Sequence, residues 1–171
     1  MKRYLLPLLM IACFYSDSLF LTWFPDNAFD GKYVPVPRLF AMALMLMAIF
    51  FNRNAAIKYG FLFGFLFDLF YTGILGVYMF FLPLIVYVTS KLVKVLQNNL
   101  FIVALIILFD LFLLEFIMYE VNILLQRTQY TLSEFIHIRL WPTLILNLIF
   151  YLILSIPLKN SFEKLRRIFN E

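Results

Sequence analysis

A chain of 171 residues that is 64% hydrophobic, 20% aromatic and 14% charged, with a mean hydropathy of +0.93, has too little polar surface to coat a soluble globule. Its net charge of +4 comes without the interleaved basic and aromatic surface that a nucleic-acid partner requires. The lone Cys13 forms no internal disulfide and has no metal-ligand spacing around it, and no motif for a cofactor is present.

Polar punctuation divides the chain into apolar runs of about the length of a bilayer crossing, roughly 20 residues. They predict six transmembrane helices over Tyr4–Phe24, Arg38–Phe51, Ala56–Tyr71, Val77–Leu96, Leu100–Val121 and Trp141–Leu158. The second and third are short enough to need a thinned bilayer or support from neighbouring helices. The opening "KRYLLPLLMIAC" has the outline of a lipoprotein signal ending at Cys13, but the apolar run continues to Trp23 and Phe24, which favours an uncleaved first helix. Breaks are expected at residues 25 to 37, with a turn at Asp30-Gly31, and at Asn52–Asn54, Thr72–Gly76, Gln97–Asn99 and Asn122–Leu140. Within the last break, Thr131 and Glu134 have the spacing of a capping box, opening a short interfacial helix that Pro142 would break or kink.

After Pro157, "NSFEKLRRIF" sets Phe162, Leu165, Ile168 and Phe169 at helical spacing around Lys164, Arg166 and Arg167, with Asn160 and Glu163 placed to cap. The expected organisation is a transmembrane domain over residues 1–158 followed by a basic amphipathic tail over 159–171 at the membrane surface. A plain stop-transfer tail fits the same residues. With both termini cytoplasmic in a bacterial cell membrane, the inner side carries Lys2, Arg3, Arg53, Lys58, Lys91, Lys94, Lys159, Lys164, Arg166 and Arg167. Lys32, Arg38, Arg127 and Arg139 are then left outside, and the basic inner face attracts anionic lipid.

The stretch "GFLFGFLFDLF", residues 60–70, poses the main chemical question, because an Asp in the middle of a membrane helix costs about 3 kcal/mol. Gly60 and Gly64 share a stripe with Asp68, so a second backbone can approach closely there and shelter the acid. Asp17, Asp68 and Asp110 fall on three helices of the same direction, each roughly 15–20 Å from the cytoplasmic end, with no Lys or Arg expected at that depth. With Asn147 they would line an outward polar pocket, or else form a buried hydrogen-bonded knot that fixes packing; both readings stay open. Glu115 and His137 read as ordinary interfacial residues. The pentapeptide "LFDLF" occurs at 66–70 and again at 108–112, as an internal repeat or by coincidence. One His and no nucleophile elbow, zinc-protease motif or phosphate-cradling loop leave hydrolases and ATPases without their chemistry. Asp68 and Asp110 match an intramembrane aspartyl protease only in residue type.

Residues 59–87, "YGFLFGFLFDLFYTGILGVYMFFLPLIVY", resemble the central signature of the bacterial rod shape-determining MreD family, in its Gram-positive form, through Gly60, Gly64, Asp68, Gly73, Gly76, Tyr78 and Pro83. The length, the number of spans, the "VPVPRL" entry to the second helix and the basic tail agree with that family. The resemblance implies an all-α membrane protein of six transmembrane helices, similar in fold to the substrate-binding S components of energy-coupling-factor vitamin transporters. It implies a noncatalytic part in cell-wall elongation, binding MreC and working with MreB, RodA and a transpeptidase penicillin-binding protein to position peptidoglycan synthesis. Gly60, Gly64, Asp68, Gly73 and Gly76 carry over as helix-packing or partner-binding positions. A vitamin-binding S component is the competing reading, although the first helix offers Ala12 and Ser16 where such proteins carry an Ala-x-x-x-Ala docking motif.

Overall fold

A computed structural model describes residues 5–23, 32–96 and 99–170. The Asp30-Gly31 turn, most of the Gln97–Asn99 break, Lys2 and Arg3 lie outside the described residues. Six helices follow one another: α1 (Leu5–Trp23), α2 (Leu39–Phe50), α3 (Arg53–Phe67), α4 (Val77–Leu96), α5 (Leu100–Leu124), and a last helix, α6. This α6 opens at Leu132–Glu134, passes through a wider π-helical stretch at Phe135–Leu140 and runs on over Trp141–Asn170. Four segments are long and apolar enough to cross a membrane: Arg53–Thr72, Val77–Leu96, Leu100–Leu124 and Leu132–Phe169. Among the described residues the apolar stretches of the first two helices, Leu5–Phe20 and Leu39–Phe50, are shorter, so the six expected helices are present and four of them are candidate spans by length and composition.

The shortness of α2 has a packing explanation. Its sequence LFAMALMLMAIF is apolar on every side, and every residue from Phe40 to Ala48 is buried. A helix apolar all round belongs in an interior, so the neighbouring helices, rather than a thinned bilayer, accommodate its length. The chain reaches α2 through an extended stretch whose Pro35 and Pro37 disfavour helix. Non-helical backbone is tolerated at membrane depth only where protein satisfies its polar groups. Here Val34 N–H donates to the Ile138 carbonyl at 2.9 Å, Val36 N–H to Thr143 Oγ1 at 3.0 Å, and the Val36 carbonyl accepts from Asn147 Nδ2 at 2.9 Å.

Around α2 the other helices bury one stripe each. On α1 the buried residues Leu6, Met10, Phe14 and Asp17 recur at helical spacing. Phe14 sits at the centre of an aromatic cluster, with ring centroids 5.9 Å from Phe40, 5.4 Å from Phe63 and 4.8 Å from Phe67. Helices α3 and α4 approach most closely at the glycines. A β-carbon at position 64 would lie 2.6 Å from the Tyr78 carbonyl oxygen and 2.8 Å from the Met79 backbone, and one at position 60 would lie 3.3 Å from Pro83. The GxxxG stripe is therefore occupied within the chain.

Two helix boundaries differ from expectation for a physical reason. The Thr131–Glu134 capping box forms, with Glu134 accepting from Thr131 N–H at 2.8 Å, but Pro142 neither breaks nor separates the helix it opens. Proline removes a donor and crowds the carbonyl four residues back, and here that carbonyl, of Ile138, accepts instead from Val34 N–H at 2.9 Å. Pro157 likewise lies inside α6. No break marks the boundary expected at 158/159, and Asn160 has no helix start to cap. Phe162 and Leu165 are fully buried, with Phe169 5.5 Å from Phe51 and Lys159 5.3 Å from the Phe50 ring. Phe162 and Leu165 of the amphipathic face are thus buried within the chain, and Lys159 and Phe169 meet the end of α2. Lys164, Arg166 and Arg167 remain exposed on the opposite face.

Candidate functional site

The buried carboxylates divide by role: Asp68 and Asp17 cap helix starts, Asp110 lies mid-helix and Glu115 bridges two arginines. At the end of α3 the helix widens into a π-helical turn, Asp68–Thr72, closed by Gly73 N–H donating to the Asp68 carbonyl at 2.9 Å. Gly73 and Gly76 have φ of +64° and +103°, which side-chain-bearing residues rarely adopt, and between them they turn the chain through a few residues. That reversal brings the start of α4 directly over Asp68. Its Oδ2 accepts from Gly76 N–H at 2.8 Å and Met79 N–H at 3.1 Å, and its Oδ1 accepts from Tyr78 N–H at 2.9 Å. A fully buried carboxylate is thereby converted into the N-terminal cap of the next helix, satisfying donors that have no intrahelical partner.

Asp17 repeats the device one helix earlier. From the last turns of α1 its two oxygens accept Leu39 N–H at 2.8 Å and Phe40 N–H at 3.2 Å, while Asn147 Oδ1 on α6 accepts Arg38 N–H at 2.8 Å. The first turn of the buried α2 is therefore held from two sides. Asp110 has no such role. It lies in the middle of α5, fully buried, 2.5 Å from Thr89 Oγ1, and its Oδ1 has no hydrogen-bond partner among the described residues. Different surroundings for Asp68 and Asp110 give no support to an internal repeat behind the two LFDLF segments. Of Asp17, Asp68, Asp110 and Asn147, Asp17 alone lines the cavity described below.

Sequence reasoning missed the strongest electrostatic feature. Glu115, expected at an interface, is fully buried in α5. It accepts from Arg38 Nε at 2.6 Å through Oε1, which also lies 2.6 Å from Arg38 Nη2, and from Arg139 Nε at 3.1 Å through Oε2. Arg38 is itself buried, with its guanidinium 5.5 Å from the Tyr78 ring centroid. Cations expected outside the bundle thus descend into it and meet an acid, which corrects the expectation that no Lys or Arg reaches that depth. The available signal was the pairing of an isolated Arg at the entry to α2 with an isolated Glu two turns from the end of α5. His137, by contrast, is exposed, as its interfacial reading requires.

Arg38 and Arg139 line a cavity of about 340 Å³ at the end of the bundle opposite the final turns of α6. Its wall includes Asp17, Arg38, Tyr71, Asn122, Arg127 and Arg139, so it is polar and carries more basic than acidic groups. Arg127 is placed there by Gln126, whose φ of +54° is unusual for a residue other than glycine. That left-handed turn ends α5, with Arg127 N–H donating to the Asn122 carbonyl at 2.9 Å, and sends the guanidinium to the Thr72 carbonyl at 2.6 Å. No group of three or more His, Cys, Asp or Glu that could hold a metal ion occurs among the described residues.

Among the described residues, a helical bundle with four candidate spans, two acids that cap its helices and a glutamate that bridges two arginines defines a polytopic membrane protein. The family model for rod shape-determining protein MreD matches residues 2–165, so the chain belongs to the MreD family. It is 40% identical over 169 residues to the rod shape-determining protein MreD of Bacillus subtilis (strain 168), covering 98% of this chain and 97% of that protein. No solved structure matches.

Proposed function

We propose that this chain is a noncatalytic membrane component of the machinery that determines rod shape, binding the transmembrane helix of MreC and helping to position peptidoglycan synthesis together with MreB, RodA and a transpeptidase penicillin-binding protein. The observation that carries this reading is the family match over residues 2–165, joined to 40% identity across nearly the whole of a named rod shape-determining protein. The site fits a scaffold: its polar side chains are spent on capping and bridging helices, and its glycine stripe on the α3–α4 contact. A partner helix therefore uses another face, and α5 offers one in the exposed stripe of Phe101, Leu105, Phe109, Phe112 and Phe116. Both termini are assigned to the cytoplasm, because Arg53, Lys58, Lys91, Lys94, Lys159, Lys164, Arg166 and Arg167 gather at the end where α6 finishes. The S-component-like fold remains part of this proposal; a vitamin-transport role gains no support from the family or the relative.

The experiment is affinity purification of the tagged chain from membranes of a rod-shaped host, with identification of what is recovered. MreC is expected in the eluate, and Phe109→Ala with Phe112→Ala is expected to reduce its recovery while leaving the chain's own level unchanged. Recovery of a transport ATPase in place of any wall-synthesis protein would reverse the reading.

A further inference from the structure

The cavity between the helix ends has a surplus of positive charge that the packing role leaves over. Three guanidiniums, those of Arg38, Arg127 and Arg139, face it with a single lining carboxylate, Asp17. Both Asp17 oxygens are taken by backbone donors at the start of α2. Glu115, from behind the wall, supplies one further negative charge. Three cations against two carboxylates leave one positive charge without a counter-charge among the described residues.

The distribution of donors is uneven as well. Arg38 commits two nitrogens to Glu115 and is buried. Arg139 gives Glu115 only its Nε, and a third of its side chain is exposed. Arg127 is exposed and gives one nitrogen to the Thr72 carbonyl. A guanidinium has five N–H donors in a planar fork, so Arg127 and Arg139 each keep several for a molecule lying between them. Their backbones are fixed independently, one by the left-handed turn at Gln126 and the other by the π-helical stretch Phe135–Leu140. Each side chain is tethered by one bond, Arg127 to the Thr72 carbonyl and Arg139 to Glu115, with its remaining donors free.

We propose that this cavity is a binding site for a phosphate group, carried by the headgroup of an anionic phospholipid or by a free phosphate ester. A carboxylate between two arginines is already represented by Glu115, whose two oxygens are both used in bridging Arg38 and Arg139. A second bridge, between Arg139 and Arg127, that also meets the hydroxyl of Tyr71 and the amide of Asn122 calls for an anion with more acceptor oxygens, as phosphate provides. At about 340 Å³ the cavity accommodates a glycerophosphate-sized group, and Phe67, Val77 and Met118 in its wall suit the carbon atoms attached to the phosphate. Its place at the helix ends is the level of lipid headgroups.

The test uses the purified full-length chain in nonionic detergent, without any protein partner, so its outcome is separate from that of MreC binding. Dihexanoyl-phosphatidylglycerol, glycerol 1-phosphate and zwitterionic dihexanoyl-phosphatidylcholine are titrated, with binding read by native mass spectrometry and by the rise in Tm. Phosphatidylglycerol is expected to bind more tightly than phosphatidylcholine, and rising salt is expected to weaken it. Arg139→Gln and Arg127→Gln are each expected to raise Kd about tenfold, as for a lost charge-assisted bond. Arg127→Gln leaves the bridge to Glu115 intact, so this variant decides the matter if Arg139→Gln fails to fold. Binding of glycerol 1-phosphate assigns the site to free phosphate esters, and binding of the lipid without it assigns the site to headgroups. Failure of both phosphatidylglycerol and glycerol 1-phosphate to bind more tightly than phosphatidylcholine, an unchanged Kd in Arg127→Gln, or an equal loss in Lys164→Gln at the other end of the bundle would each overturn the proposal.

Discussion

Asp68 stands at the end of one membrane helix and does its work at the beginning of another. Three backbone donors of the α4 entry converge on its two oxygens, and a charged acceptor makes such bonds stronger than a neutral one. In Asp68→Asn one oxygen becomes an amide nitrogen that faces donors, so at least one of them is left unsatisfied in a buried place. A loss of about 2–3 kcal/mol is expected, measured as a lower Tm in detergent and lower accumulation in membranes. Glu115→Gln is expected to be worse, costing about 3–5 kcal/mol, because it strands the buried Arg38 without a counter-charge. Replacing Arg139 instead leaves the Arg38–Glu115 pair in place, so the same Tm measurement should fall less. If Glu115→Gln melted like the parent chain, the bridge would have no structural weight. That an acid at position 68 needs shelter was legible in the residues alone. That the shelter is the backbone of the next helix was not, because it depends on a reversal at Gly73 and Gly76 that brings the α4 entry over residue 68.

Helices decide the next set of outcomes. At Gly64 the α4 backbone sits where a methyl group would go, whereas at Gly60 the nearest atoms are at the edge of contact. Gly64→Ala is therefore expected to force α3 and α4 apart and cost about 1–3 kcal/mol, with Gly60→Ala costing clearly less, as read by the two melting temperatures side by side. The end of α6 carries a second test. Phe162 and Leu165 are fully buried, so Leu165→Ala is expected to lower stability by about 2–5 kcal/mol, whereas Ile168→Ala, only half-buried, should cost less. A tail lying loosely on a bilayer would show no such difference. The amphipathic pattern of these residues was visible in the sequence. What could not be read was the partner of the apolar face, since periodicity identifies a face that seeks burial without distinguishing a lipid surface from the end of a buried helix.

For the molecule as a whole, the asymmetry of charge is the observation to exploit. Eight described basic residues gather where α6 ends, and Lys32, Arg38, Arg127 and Arg139 lie at the other end. In a Cys13→Ser background, a cysteine placed at Gln126 is expected to react in intact cells with a membrane-impermeant maleimide, and one placed at Asn160 only after the membrane is opened. The reverse pattern would invert the topology. Composition and patterning by themselves determined that the chain is a helical membrane protein, roughly where its helices run, and which of its faces need burial, because hydrocarbon admits backbone only as helix or closed barrel, long unbroken apolar runs select helix, and isolated charge is tolerated only with help. They also carried the glycine and aspartate order that resembles the MreD family. Tertiary structure alone decided that Asp17 and Asp68 cap helices following them, that the short α2 is enclosed by its neighbours, and that Glu115 joins Arg38 to Arg139 across 77 and 24 residues of chain. Such pairings depend on how far each helix is displaced along the bundle axis and rotated about its own. Those two coordinates are set by the packing of all the helices together, and no local pattern of residues contains them.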